Sequence, residues 1–114
     1  MSIVKKTGDI TEEPHPFLKS VGMRTLYSKR ENKDDVTCFI VRCSVGSEIE
    51  EHVHQEETDL IYVLSGKARM WVEDRGEFTL EPGVFVAVPK GLRHKTYDVV
   101  EELFIYDVFT PAMF

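Results

Sequence analysis

No apolar run in the chain approaches the ~18 residues that a membrane-spanning helix needs, so no membrane segment is expected. Lys5 and Lys6 are not followed by an apolar stretch, so the N-terminus does not read as a secretory leader, and a cytoplasmic protein is the expectation. Basic residues are the minority, 14 Lys and Arg against 20 Asp and Glu, for a net charge of −6. The cations that exist are scattered, with Lys5-Lys6 and Lys29-Arg30 as short pairs in mixed surroundings. Phosphate backbones call for clustered Lys and Arg, so nucleic acid is excluded as a partner. Cysteine is scarce too. Cys38 and Cys43 fall within one β-like run, on opposite faces and about 16 Å apart at ~3.3 Å per residue, too far for a mutual disulfide. They read as small buried side chains in a reducing compartment. Also missing is any long segment with a 3.6-residue apolar period, and 114 residues leave no room for a second domain.

What is present is a series of short runs rich in Val, Ile, Phe and Tyr, broken by Gly, Pro, Asp and charged turns. Residues 1–23 read as an N-terminal arm, because Pro14 and Pro16 around His15 rule out a central strand. Strands are expected at 24–29, 36–45, 49–54, 59–64, 67–73, 77–80, 84–88, 93–99 and 102–109, with 31–35 as a polar loop and Ser65-Gly66 as a tight turn. Strands this short and this numerous predict an all-β sandwich or barrel over residues 24–114. Period-two alternation then assigns faces. With Asp59 pointing inward, Ile61 and Val63 follow it, while Leu60, Tyr62 and Leu64 point outward, joined by Trp71 on the neighbouring strand. So apolar an outer row should not face water, which suggests a homodimer.

Three of the four histidines sit where strands can converge. His52 and His54, at i and i+2, share one strand face about 7 Å apart at Cα. His94 lies on a later strand and can bring a third nitrogen across a barrel, and Asp59 can bring an oxygen. Such mixed nitrogen and oxygen ligands suit Mn, Fe, Co, Ni, Cu or Zn, and three or four protein ligands leave positions open for water or substrate. The surrounding acids, Glu48, Glu50, Glu51, Glu56 and Glu57, favour a nearby cation, and they equally favour protonated imidazole. His15 reads as a surface residue. Arg42, Arg69 and Arg93 would be hints of anion binding if they pointed inward, but read as exposed strand residues. Thr96 shares the face of His94 and can line a cavity, whereas Tyr97 reads as packing.

His-x-His alone is a weak signal, but the spacing around it is not. From Gly46 to Gly66 the chain reads G-SEIEE-H-V-H-QEET-D-LIYVLS-G, which resembles the first cupin motif, G-x5-H-x-H-x3,4-E-x6-G, with Asp59 in the glutamate place. From Gly83 to Asp98 it reads G-VFVAV-P-K-G-LR-H-KTY-D, which resembles the second, G-x5-P-x-G-x2-H-x3-N, with Asp98 in the asparagine place. Gly46, His52, His54, Gly66, Gly83, Pro89, Gly91 and His94 all fall on the pattern. The resemblance covers about half the chain. It implies a single-domain cupin, a jelly-roll β-barrel holding one divalent transition metal ion (Mn, Fe, Ni or Zn) on His52, His54, Asp59 and His94. Asp59 is one methylene shorter than the family's glutamate. It can bind directly, bind through water or stand clear, and Glu57 can replace it if the connection kinks. Asp98 reads as a turn or supporting residue.

The functional expectation is a metal-dependent enzyme acting on a small polar or carboxylate-bearing molecule, of the dioxygenase, decarboxylase or isomerase type. No separate general base stands out; Glu50 is named only because it shares the face of His52 and His54. The alternatives are a module that binds or senses a small molecule without catalysis, and a protein whose site is purely structural or empty.

Overall fold

The computed structural model describes residues 3–15, 18 and 21–114, so Pro16 lies outside the described residues. Eight strands follow in chain order: β1 (Glu13–Pro14), β2 (Val21–Tyr27), β3 (Thr37–Cys43), β4 (Ile49–His52), β5 (Thr58–Val72), β6 (Gly76–Leu80), β7 (Phe85–Val88) and β8 (His94–Thr110). All their pairings are antiparallel. β1 is a two-residue edge strand, a place where Pro14 costs no ladder bond. One helical turn, α1 (Lys29–Asn32), replaces the end of the expected first strand and the start of the expected polar loop. Ser28 caps it by accepting from the Glu31 amide, and Lys33 ends it in the left-handed region.

The barrel is organised by two long strands that the sequence reading divides into four. β5 and β8 run beside each other from the Thr58–Thr110 pair to the Val72–His94 pair. Their first meeting, residues 58–65 of β5 against 104–110 of β8, also carries β3 and β7. Their second, 67–72 against 94–101, also carries β4 and β6. Each long strand therefore serves two sheets, which closes the jelly roll. The bend between the halves lies at Ser65-Gly66, where the pairing register shifts repeatedly. The expected tight turn is thus a bend within a continuous strand. Gly66 is needed there for two reasons: its φ is +94°, and a Cβ would come within 2.1 Å of the Glu102 carbonyl oxygen.

Inside, the alternation holds. Asp59, Ile61, Val63, Ala68, Met70 and Val72 of β5 are buried, as are Phe39, Val41 and Cys43 of β3 and Leu103, Ile105 and Phe109 of β8. Cys43 is buried, Cys38 is half-buried, and both are free thiols on β3. Outside, Tyr62, Leu64 and Phe85 are exposed. No helix among the described residues is long and apolar enough to cross a membrane.

Candidate metal centre

One end of the barrel interior gathers imidazoles from two stretches of chain. β4 pairs with β8 so that His52 stands directly opposite His94. A register shift between Ile49 and His52 turns both of these side chains inward and leaves Glu50 and Glu51 exposed. Glu50 therefore does not share the inner face of His52, which corrects the expectation that made it a base. His54 lies just past the end of β4, where its carbonyl accepts from the Gly91 amide. That bond ties the Pro89-Lys90-Gly91 corner ahead of His94 to the first histidine pair.

The three ring centroids lie 4.2 Å (His52–His94), 4.8 Å (His52–His54) and 5.2 Å (His54–His94) apart. One nitrogen from each ring can be chosen so that all three lie within 4.8 Å of one another. The backbone selects which nitrogen is offered. His52 Nδ1 lies 2.7 Å from the Glu50 carbonyl and His94 Nδ1 lies 3.0 Å from the Leu92 carbonyl. An Nδ1–H donated to a carbonyl leaves the Nε2 lone pair free, the usual support of a metal-binding imidazole. His54 Nε2 and His94 Nε2 are buried and have no hydrogen-bond partner among the described residues. Burial of two unpaired imidazole nitrogens is costly unless something else satisfies them. The donor set therefore fits a divalent ion, and the three histidines are positioned to hold one.

Asp59 lies beside this group. Its Oδ2 is 3.7 Å from His54 Nε2 and 3.6 Å from His94 Nε2, too long for hydrogen bonds and close to the spacing of two ligands sharing an ion. Its Oδ1 is buried and unpaired. Glu57 approaches the opposite nitrogen of His54, Nδ1, at 4.0 Å, so it stands behind the ring and not among the converging atoms. Asp98 is exposed with φ +50° and does not line the histidine cavity.

Electrostatics prepares the rings for a cation. Burial lowers the pKa of His52, and it pushes that of His54 down to about 4, against the pull of Asp59. Both are thus neutral near pH 7, the form that binds metal. Burial opposes ionisation of Asp59 as well. Yet a hydrogen bond with Asp107 and the adjacent His94 and His54 prevail, holding its pKa below the ordinary carboxylate value. Asp107 moves the other way: burial first, then the charge of Asp59, raise its pKa well above the usual range. A protonated Asp107 donating to an ionised Asp59 accounts for both directions.

Sequence reasoning missed two residues of this cavity. Asp107 sits two places from Phe109, and Phe109 pairs with Asp59, so both acids project to the same face of adjacent strands. The signal was available as a lone acid in the inward phase Leu103, Ile105, Asp107, Phe109. His15 is not a surface residue. It is half-buried, its ring centroid is 6.3 Å from that of Phe39, its Nδ1 accepts from the Leu18 amide, and it lines the same cavity as the other three histidines. Thr96 lines the cavity as expected. The arginines do not. Arg42 pairs with Glu12 at 2.6 Å, Arg69 with Glu77 at 3.8 Å, and Arg93 is exposed. Tyr97 packs outside, its hydroxyl bonded to Glu77 and Lys95 above its ring.

The family profile of the cupin domain matches residues 39–106, more than half of the chain, and the protein belongs to the cupin family. Among solved structures it is similar to a predicted oxalate decarboxylase from Thermotoga maritima, with a TM-score of 0.84 at 19% identity over 96% of this chain and 99% of that one. It is also similar to the polyketide cyclase RemF from Streptomyces resistomycificus (TM-score 0.83, 20% identity, 100% and 87% of the two chains). A third is an RmlC-like cupin from Shewanella frigidimarina (TM-score 0.81, 18% identity, 99% and 94%). At these identities the likeness is one of fold. No curated protein sequence matches the chain.

Proposed function

We propose that the protein is a mononuclear metal-dependent enzyme acting on a small polar molecule, with His52, His54 and His94 as ligands and Asp59 as the fourth. The observation that carries this reading is the pair of buried, unpartnered Nε2 atoms of His54 and His94, which lie 3.7 Å and 3.6 Å from Asp59 Oδ2. An ion such as Mn, Fe, Ni or Zn would supply Lewis acidity or redox capacity there. The chain's own residues do the rest. The carbonyls of Glu50 and Leu92 orient two rings, Asp107 orients Asp59, and the walls from Ile49, Ile61, Met70 and Phe109 exclude water. Dioxygenase, decarboxylase and isomerase chemistries all use such a centre, and the named neighbours include a predicted decarboxylase and a cyclase. The exposed row of Tyr62, Leu64 and Phe85 supports a homodimer through the outer face of β5 and β7.

The test is turnover of small carbonyl compounds by protein loaded separately with Fe, Mn, Ni or Zn, with His94→Ala as the metal-free control. Metal-dependent turnover lost in His94→Ala supports the reading. Stoichiometric metal without turnover on any of them would favour a binding or sensing module.

A further inference from the structure

The three converging rings are not held alike. His52 and His94 lie on β4 and β8, and each Nδ1 meets the carbonyl two residues earlier, that of Glu50 for one and of Leu92 for the other. Support of this kind is fixed by the main chain. His54 lies past the end of β4, and the group behind its Nδ1 is a side chain, Glu57 Oε1 at 4.0 Å. A bend at Gln55 and Glu56 brings this about, folding residue 57 back toward residue 54 before β5 begins at Thr58. Gln55 and Glu56 are exposed, whereas the side chains of His54 and Glu57 are only 14% and 17% exposed. His54 thus stands between two carboxylates, Asp59 Oδ2 at 3.7 Å from Nε2 and Glu57 behind Nδ1.

We propose that Glu57 is a positioning residue of this centre, accepting a hydrogen bond from His54 Nδ1–H and so setting how strongly His54 holds the ion. The inference rests on the metal centre proposed above. An imidazole that gives its Nε2 lone pair to an ion keeps its proton on Nδ1. In His54 that proton faces Glu57, and the contact becomes a hydrogen bond once the carboxylate closes by about 1 Å, a small movement for a side chain with several rotatable bonds. An anionic acceptor makes a stronger bond than a carbonyl does, and it raises the basicity of the nitrogen on the far side of the ring. His54 is therefore the ligand whose strength depends on one replaceable side chain, while the backbone sets the other two. Glu57 acts on the ion only through the ring.

The experiment measures the Zn(II) affinity of the wild type, Glu57→Ala, Glu57→Gln and Glu56→Ala by competition with a chelating indicator, and follows the imidazole N–H protons of each Zn(II)-loaded protein by NMR. Glu57→Ala should bind Zn(II) about tenfold or more weakly. Glu57→Gln keeps a neutral acceptor and should lose only about threefold. Glu56→Ala removes the same charge from an exposed neighbouring side chain and should stay within about twofold of the wild type. In the wild type the His54 Nδ1–H should give a low-field signal that exchanges slowly with water. In Glu57→Ala it should move upfield or be lost to exchange, while the Nδ1–H signals of His52 and His94, held by carbonyls, stay in place and report an intact barrel. Unchanged affinity in Glu57→Ala, a loss of affinity with the His54 proton unmoved, or an equal loss in Glu56→Ala overturns the inference and leaves the metal centre standing. Protein that takes up no Zn(II) overturns both.

Discussion

Replacing Gly66 with alanine tests how the barrel brings its two halves together. The position carries two separable costs. Its φ of +94° is one that an L-residue adopts at a cost of about 1–2 kcal/mol. The added methyl would also lie 2.1 Å from the Glu102 carbonyl oxygen and 2.7 Å from both the Glu102 carbonyl carbon and the Leu103 Cα. All three are backbone atoms of β8, so no side chain can swing aside, and the strands must separate. Crowding of this kind costs about 1–3 kcal/mol. The sum, about 2–5 kcal/mol, is a large share of the about 5–15 kcal/mol that holds a domain together. Gly91→Ala is the control. Its φ is +86°, but its Cβ would meet nothing within 4 Å, so only the conformational cost of about 1–2 kcal/mol applies. Urea unfolding of the two variants, analysed by linear extrapolation, should show Gly66→Ala losing clearly more. Equal losses would refute the close crossing of β5 and β8 and the argument built on it.

Metal-free protein should show the His54 imidazole titrating near pH 4, well below the ordinary histidine value of about 6.5, when followed by NMR; a midpoint near 6.5 would mean the ring is not buried as described. The linked sign is definite. As pH falls from 6.5 toward 4 the unfolded chain takes up a proton that the native ring refuses, so His54 makes the native state less stable as pH falls through this window. Asp59→Ala should lower Co(II) affinity while leaving one ion per chain, because three imidazoles remain; unchanged affinity would show that the carboxylate takes no part. Tyr62→Asp combined with Phe85→Asp should give a monomer by light scattering, and a wild-type chain that is already monomeric would remove the homodimer.

Much of this molecule is legible in its sequence because its signals are local. The alternation along 59–63 and 68–72 places each side chain on its observed face, since the period of a strand is two whatever it pairs with. The same period puts His52 and His54 on one face, whereas the meeting of His94 with them was legible only through the resemblance of the two motifs to those of cupins. What was hidden depends on pairing. Ser65-Gly66 reads as a turn in isolation, but the close passage of β8 makes it a bend within a strand. Glu50 loses the inner face because an irregularity in the β4–β8 register reassigns it, and no alternation rule contains a bulge. His15 carries a surface signature, proline on both sides, and is half-buried, with its ring beside Phe39 of a remote strand. Asp107 was visible as an acid out of phase with its neighbours, but its meaning needs Asp59 beside it.

The most direct measurement is the metal content and coordination of protein expressed without an affinity tag and loaded with Co(II). The account predicts one ion per chain, with an anomalous signal in the crystal inside the triangle of His52, His54 and His94, and loss of that ion in His52→Ala combined with His94→Ala while the β-sheet circular dichroism persists. A chain that binds no ion at this point, or whose ion survives removal of both imidazoles, contradicts it.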